Sequence, residues 1–179
     1  QTLEGLNAAE ILDYFDDNCV LPREVMSLSN TAAGTAVLYP ITLGTRPVLL
    51  VRTSNGIFRF DLAVDNAELK SMALAFRDAI TNPKTSLAAY QGQASALFTA
   101  LLGPAQSLIE RSSITTLVTV PSSYLRLVPM AALHDGEDFL VNRYQLATTL
   151  GLQLTENASV DNVNSSAFIG GVSDAVQGF

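Results

Sequence analysis

The chain has 179 residues, 48% hydrophobic and 15% charged, with no Trp, one His and one Cys. That length suits one domain with a core of its own, and no apolar run is long enough to cross a bilayer, so composition points to a soluble globular chain without a membrane partner. A net charge of −7, with the 10 basic residues scattered, argues against direct contact with nucleic acid, which needs clustered Lys and Arg.

Cys19 cannot form an internal disulfide and no signal peptide is visible, so a cytoplasmic location is expected. Glu4, Glu10, Asp13, Asp16 and Asp17 all precede the first basic residue, Arg23. They read as a solvated helix face rather than a docking surface for a basic partner. Ala8, Ile11, Leu12 and Phe15 fall at i, i+3, i+4 and i+7, which predicts a short amphipathic helix ending near Asn18 with its acidic residues toward water.

Three β-rich runs follow, at 36–41, 48–53 and 57–62. The second and third are joined across Asn55-Gly56, a strong hairpin signal because both residues tolerate positive φ. Phe58, Phe60 and Leu62 share the face expected on the core, with Arg59 and Asp61 opposite. Leu69, Met72, Ala73, Phe76 and Ile80 then form a helical stripe, closed by Asn82-Pro83. A second helix is expected over 87–111, its stripe made of Ala94, Leu97, Phe98, Leu101, Ala105, Leu108 and Ile109, with a kink or break at Gly103-Pro104.

From Ile114 the run "ITTLVTVP", ended by Pro121, has the continuous apolar and β-branched character of a strand buried on both faces. Segments 138–148 and 165–171 supply two further candidate strands, and 153–166 is the most linker-like stretch. Helices lying between the meander and the later strands predict an α/β fold with a mixed sheet, an antiparallel meander and flanking helices.

In this order the residues resemble a known family. "TAVLYPI", the hairpin, two helices, "LVTVPSSYLRLVPMAALHDGEDFLVNRYQLATT" and "AFIGGVSDAVQGF" look like the N-terminal part of a CHAT domain. The most specific element is Val128-Pro129-Met130-Ala131-Ala132-Leu133-His134-Asp135-Gly136, and "NAAEILDYFDDNCV" is similar to a form common in bacterial members. Pro121-Ser122-Ser123 stands where Pro-Asp-Gly is more usual. Members are caspase-like, related to separase, and commonly lie C-terminal to tetratricopeptide repeats.

The resemblance implies the N-terminal, pseudo-caspase half of a caspase/separase-like fold. Residues 1–30 would be a leading helix and connector, 31–64 the meander, 65–111 helices and 112–179 sheet strands, with the catalytic half missing downstream. Active members carry a His-Gly and a nucleophilic Cys in that later half, and neither motif is present here, so the chain is expected to be inactive alone. The implied role is support of a downstream cysteine endopeptidase half and linkage to upstream repeats, with a protein substrate or regulator as further partner. The alternative is a self-sufficient binding or scaffold module, a pseudoenzyme without peptidase activity.

The residues themselves offer few other chemistries. A Cys19–His134 dyad would need an activated thiolate, whereas Asp16-Asp17 beside Cys19 would raise its pKa. His134 precedes Asp135-Gly136 and is expected to be a structural turn histidine whose ring caps backbone groups. Gly171-Val172-Ser173-Asp174-Ala175 approaches a nucleophile elbow around Ser173 but lacks the last glycine, and the only His precedes the Ser. One His and one Cys cannot close a zinc site, Asp16-Asp17 is a surface doublet, and no phosphate-cradling loop occurs. No catalytic, cofactor-binding or metal residue is therefore expected.

Overall fold

The computed structural model describes residues 31–151. Strands β1 (Thr35–Ile41), β2 (Val48–Thr53) and β3 (Gly56–Asp61) form an antiparallel meander, as their β-branched and aromatic composition predicts. Strands β4 (Thr116–Thr119) and β5 (Gln145–Thr148) add in parallel on the other side of β1. The resulting mixed sheet has the order β3-β2-β1-β4-β5.

The hairpin turn lies one position earlier than expected. Thr53 pairs with Gly56, so the connecting residues are Ser54 and Asn55, and the Asn55 N–H donates to Thr53 Oγ1 at 3.1 Å. Of the Asn-Gly pair, Gly56 alone takes positive φ, at +136°. Phe58 and Phe60 do face the core side, but β3 is an edge strand and leaves them half-buried, while Leu62 just beyond it is buried.

Helix α1 (Asn66–Thr81) starts at Asp65, whose carboxylate accepts the Glu68 N–H at 2.8 Å, and ends at Asn82 before Pro83. Helix α2 (Leu87–Leu101) starts at Ser86 in the same manner. The break expected at Gly103-Pro104 is a 3₁₀ turn, Gly103–Ala105, followed by helix α3 (Gln106–Arg111). Leu69, Ala73 and Phe76 of α1 and Ala94, Leu97 and Leu101 of α2 close a core over Ala36, Leu38, Leu49, Val51 and Leu117 of the sheet. Each Leu, Val or Phe side chain among them contributes about 1.5–3 kcal/mol on burial.

The segment 138–148 is not one strand. Its first part is a short helix, α4 (Leu140–Arg143), and pairing with β4 begins only at Gln145. Local chemistry decides the difference: Asp138 Oδ1 accepts both the Phe139 N–H and an Asn142 amide hydrogen, at 2.7 Å each, which closes a helical turn. Leu140 is then buried and Tyr144, four residues on, packs on the same core, while Val141 stays 57% exposed. The helix expected around Ala8 to Phe15, the acidic group at Glu4 to Asp17, the linker at 153–166 and the strand at 165–171 lie outside the described residues. Among the described residues no helix is long and apolar enough to cross a membrane.

Candidate functional site

The stretch after β4 is held down by its apolar residues: Leu125, Val128, Met130, Leu133 and Leu140 all enter the core. Between the last two of these the chain forms a tight loop. His134 and Phe139 face each other as an antiparallel bridge, and the Asp135 N–H donates to Asp138 O at 3.1 Å. Gly136 sits at φ +105°, a left-handed value that favours glycine.

His134 Nδ1 accepts the Gly136 N–H at 3.0 Å, which is the backbone capping anticipated for a turn histidine. An amide can only donate, so this bond fixes Nδ1 as an acceptor and places the ring proton on Nε2. Ser95 Oγ on α2 lies 3.3 Å from the same nitrogen and, by the same logic, donates to it. That pair is a Ser–His contact, yet the acceptor lone pair is already shared with Gly136. The geometry ties α2 to the loop instead of freeing Nδ1 to take a proton.

Rings extend this tie. Phe76 stacks on Tyr90 with centroids 5.9 Å apart, Tyr90 on Phe139 at 5.6 Å, and Phe139 meets His134 edge-on at 4.9 Å. The Tyr90 hydroxyl donates to Ala132 O at 3.1 Å, and its burial raises its pKa. A continuous aromatic ladder thus joins α1, α2 and the loop.

Asp135 organises the loop from within. Its Oδ1 accepts the N–H groups of Glu137 and Asp138 at 2.9 Å each, and its Oδ2 pairs with the Arg143 guanidinium. The Asp135 side chain is only 2% exposed. Burial pushes its pKa up, but the Asp138 and Glu137 N–H groups and Arg143 outweigh that and hold it below the usual carboxylate range. Asp138 is likewise lowered, by Asn142 and by the Phe139 N–H.

Both carboxyls have folded-state pKa values below their unfolded ones, near 3.9, so their contribution is complete above about pH 5 and is lost as pH falls through the folded values. The urea midpoint should therefore drop as pH is lowered from 5 toward 2.5, and the drop should be shallower in Asp135→Asn. Equal pH slopes in the two proteins would remove Asp135 as the source.

A second polar group lies at the carboxyl ends of β1 and β4, the region where open α/β sheets place their sites. Ser122 Oγ donates to Pro40 O at 2.9 Å and lies 3.4 Å from Thr42 Oγ1. Asn66 Nδ2 donates to Thr42 O at 2.8 Å, and the Tyr124 hydroxyl donates to Asn66 Oδ1 at 2.6 Å. Tyr124, Asn66, Asp65 and Lys70 line a shallow open groove here. The bonds run between protein groups, so the network joins α1 to the ends of two strands.

Ser122 and Ser123 occupy the positions where the resemblance implied Asp-Gly, and the structure shows how they manage. Ser122 supplies the hydrogen bond, while Ser123 adopts φ +50°, the left-handed region that costs an L-residue about 1–2 kcal/mol. Ser123→Gly should raise stability by about 0.5–1 kcal/mol in urea denaturation, the smaller gain reflecting the freer unfolded chain. Ser122→Gly, which removes the bond to Pro40, should lower it.

Sequence reasoning picked out His134 but not the residues that hold it. Ser95, Tyr90 and Arg143 come from elsewhere in the chain and had no local signal. Asp135, directly before a glycine, did carry one, since Asx side chains readily bond the amides that follow. Cys19 and Ser173 lie outside the described residues. Among the described residues no three His, Cys, Asp or Glu side chains converge where a metal could bind.

Residues 91–178 match the family model of the CHAT domain. Over this segment, just under half of its length, the chain is similar to a CHAT domain. No curated protein gives a significant match to it. The match begins inside α2 and includes β4, the His134 loop and β5, so it covers less than the near-complete likeness read from the sequence. The β1–β3 meander precedes the matched segment, yet it shares one sheet with the matched strands through the parallel β1–β4 pairing. Within the matched segment, then, the His134 loop and the Ser122 turn are packed, hydrogen-bonded parts of the scaffold around β4.

Proposed function

We propose that this chain is the noncatalytic N-terminal half of a CHAT-domain caspase-like cysteine endopeptidase. It supports a downstream protease half and links it to upstream tetratricopeptide repeats in the cytoplasm. The observation that carries the reading is the edge of the sheet at β5. This strand runs parallel to β4, three of its four residues are exposed, and among the described residues none pairs with its outer side. Parallel strands are ordinarily buried within a sheet, so a parallel strand without a described neighbour on its outer side favours continuation by further strands. The family's peptidase character supports the same direction of growth.

In such a parent, a downstream Cys thiolate would attack the scissile carbonyl and a His would pass the proton to the leaving amine. Backbone N–H groups would hold the oxyanion. The present half would supply the core strands against which those catalytic strands align. The test is a peptidase assay on the parent protein, wild type and with the Cys after the later strand replaced by Ala. Cleavage lost on that replacement, with residues 1–179 alone inactive, supports the reading. A parent without the His-Gly and Cys, or cleavage by residues 1–179 alone, overturns it; the first result would favour a binding module.

A further inference from the structure

At the end opposite β5 the sheet stops at β3. Strand β2 pairs with one side of β3, and among the described residues no strand pairs with the other. One bond shows which backbone groups are left over: the Leu62 N–H donates to Pro47 O at 3.1 Å, so Leu62 turns its backbone toward β2. Antiparallel ladders alternate, hence Phe60 and Phe58 also bond toward β2, while Asp61, Arg59 and Ile57 point their N–H and C=O groups away from the sheet.

Such an edge invites another strand unless it is blunted by Pro, a bulge or unbalanced charge. Strand β3 has no Pro, and all six of its residues pair with β2 in unbroken register. Its two charges cancel: Arg59 Nη2 lies 2.7 Å from Asp61 Oδ1, with the side chains 66% and 69% exposed. Ile57 beside them is 60% exposed, and Phe58 and Phe60 on the other face are half-buried. The edge is thus partly apolar and carries no net charge.

We propose that this edge is an interface for a second copy of the chain, two β3 strands pairing antiparallel about a twofold axis at Phe60 and joining the two sheets into one. The order of the side chains selects both partner and register. Centred on Arg59, the pairing would set like charges face to face; centred on Phe58, Arg59 would face Ile57. Centred on Phe60, each Arg59 faces the Asp61 of the other copy, and Phe60 lies opposite its counterpart as an aromatic cross-strand pair. The outward N–H and C=O groups of Arg59 and Asp61 are then exchanged in hydrogen-bonded pairs, and the ion pair within each strand is replaced by two between strands. Such a strand is self-complementary, as a twofold interface requires. A strand pair alone buries less than the about 1,600 Å² of a standard complex, so the dimer is a weak one. The inference concerns the edge opposite β5 and is independent of the peptidase reading.

The test is sedimentation equilibrium of the full chain over a concentration series reaching about 1 mM. Wild type should pass from monomer toward dimer. Arg59→Asp and Asp61→Arg should each weaken the dimer by about tenfold or more, and the variant carrying both should restore it, because the exchanged charges again face each other. A thiol readout fixes the axis. In a Cys19→Ser background under air oxidation, Phe60→Cys should form a disulfide-linked dimer about ten times faster than Ile57→Cys, although Ile57 is the more exposed, because only residues at the axis come within the roughly 5.5 Å Cα spacing of a disulfide. Monomer at every concentration, a dimer indifferent to the single charge changes, or a double variant that stays monomeric overturns the proposal, as does faster linkage through Ile57→Cys. Should Phe60→Cys fail to fold, the charge series decides alone, since both of its positions are exposed.

Discussion

Phe76→Ala should lower the unfolding free energy by about 3–5 kcal/mol, the largest loss expected of any single substitution in the described residues. The side chain is 0% exposed and belongs to the core between α1 and the sheet. Its removal deletes the transfer free energy of a ring and leaves a cavity that two helices and a sheet cannot collapse to fill. It also removes one end of the ladder through Tyr90 and Phe139 to His134. Near-ultraviolet circular dichroism and the His134 ring resonances should consequently change even where the protein remains folded. Phe76→Leu keeps most of the volume and should cost less than about 1.5 kcal/mol. A loss below 1 kcal/mol for Phe76→Ala would contradict the packing described.

Asp135→Ala should cost about 2–4 kcal/mol, because three interactions with one ionised group disappear together. The Glu137 and Asp138 N–H groups lose their acceptor and Arg143 loses its partner. Asp135→Asn keeps an acceptor oxygen for the amides while giving up the charge, so it should fall between wild type and Ala. Hydrogen exchange offers the local readout: the amides of Glu137 and Asp138 should lose protection in Asp135→Ala well before β1 or β4 does. Unchanged exchange at those two amides would show that the carboxylate does not hold the loop.

These effects separate what was legible in the sequence from what was not. The meander was legible because alternation and turn chemistry are local: Phe58 and Phe60 could be put on one face with no knowledge of what covered it. The helices were legible for the same reason, through the stripes from Leu69 to Ile80 and from Ala94 to Leu101 and the stops at Asn82-Pro83 and Gly103-Pro104. The region 138–148 misled because Phe139-Leu140-Val141 has strand composition, and the bonds that make it turn belong to the polar side chains Asp138 and Asn142. The hairpin was placed one residue late because Asn-Gly is the commoner turn pair, whereas Thr53 here fixes the preceding turn through its own hydroxyl.

The candidate site was legible only as a single residue. His134 stood out by being alone of its kind and beside a glycine. Its partner Ser95 lies 39 positions away, and nothing in a helical stripe marks which polar residue will meet a loop from another layer. The Ser122-Ser123 turn was visible as a departure from the implied Pro-Asp-Gly, but its resolution, one residue supplying the hydrogen bond and the next accepting the left-handed backbone, depends on Pro40, 82 positions away.

The order of the strands carries a further consequence, for how the chain reaches this state. β1 meets β2 across a short connection, but it meets β4 only after 80 or so residues, as in the bond between Thr115 and Gly34, which are 81 positions apart. Closing so long a loop costs entropy before any contact rewards it, and non-local pairing of this kind slows folding. The meander and the α1–α2 hairpin can form early from neighbouring sequence, and insertion of β4 beside β1 then becomes the committing event. As the chain leaves the ribosome, the side of β1 that awaits β4 stays exposed until Leu117 emerges, which makes that interval the one in which the nascent protein is most open to aggregation.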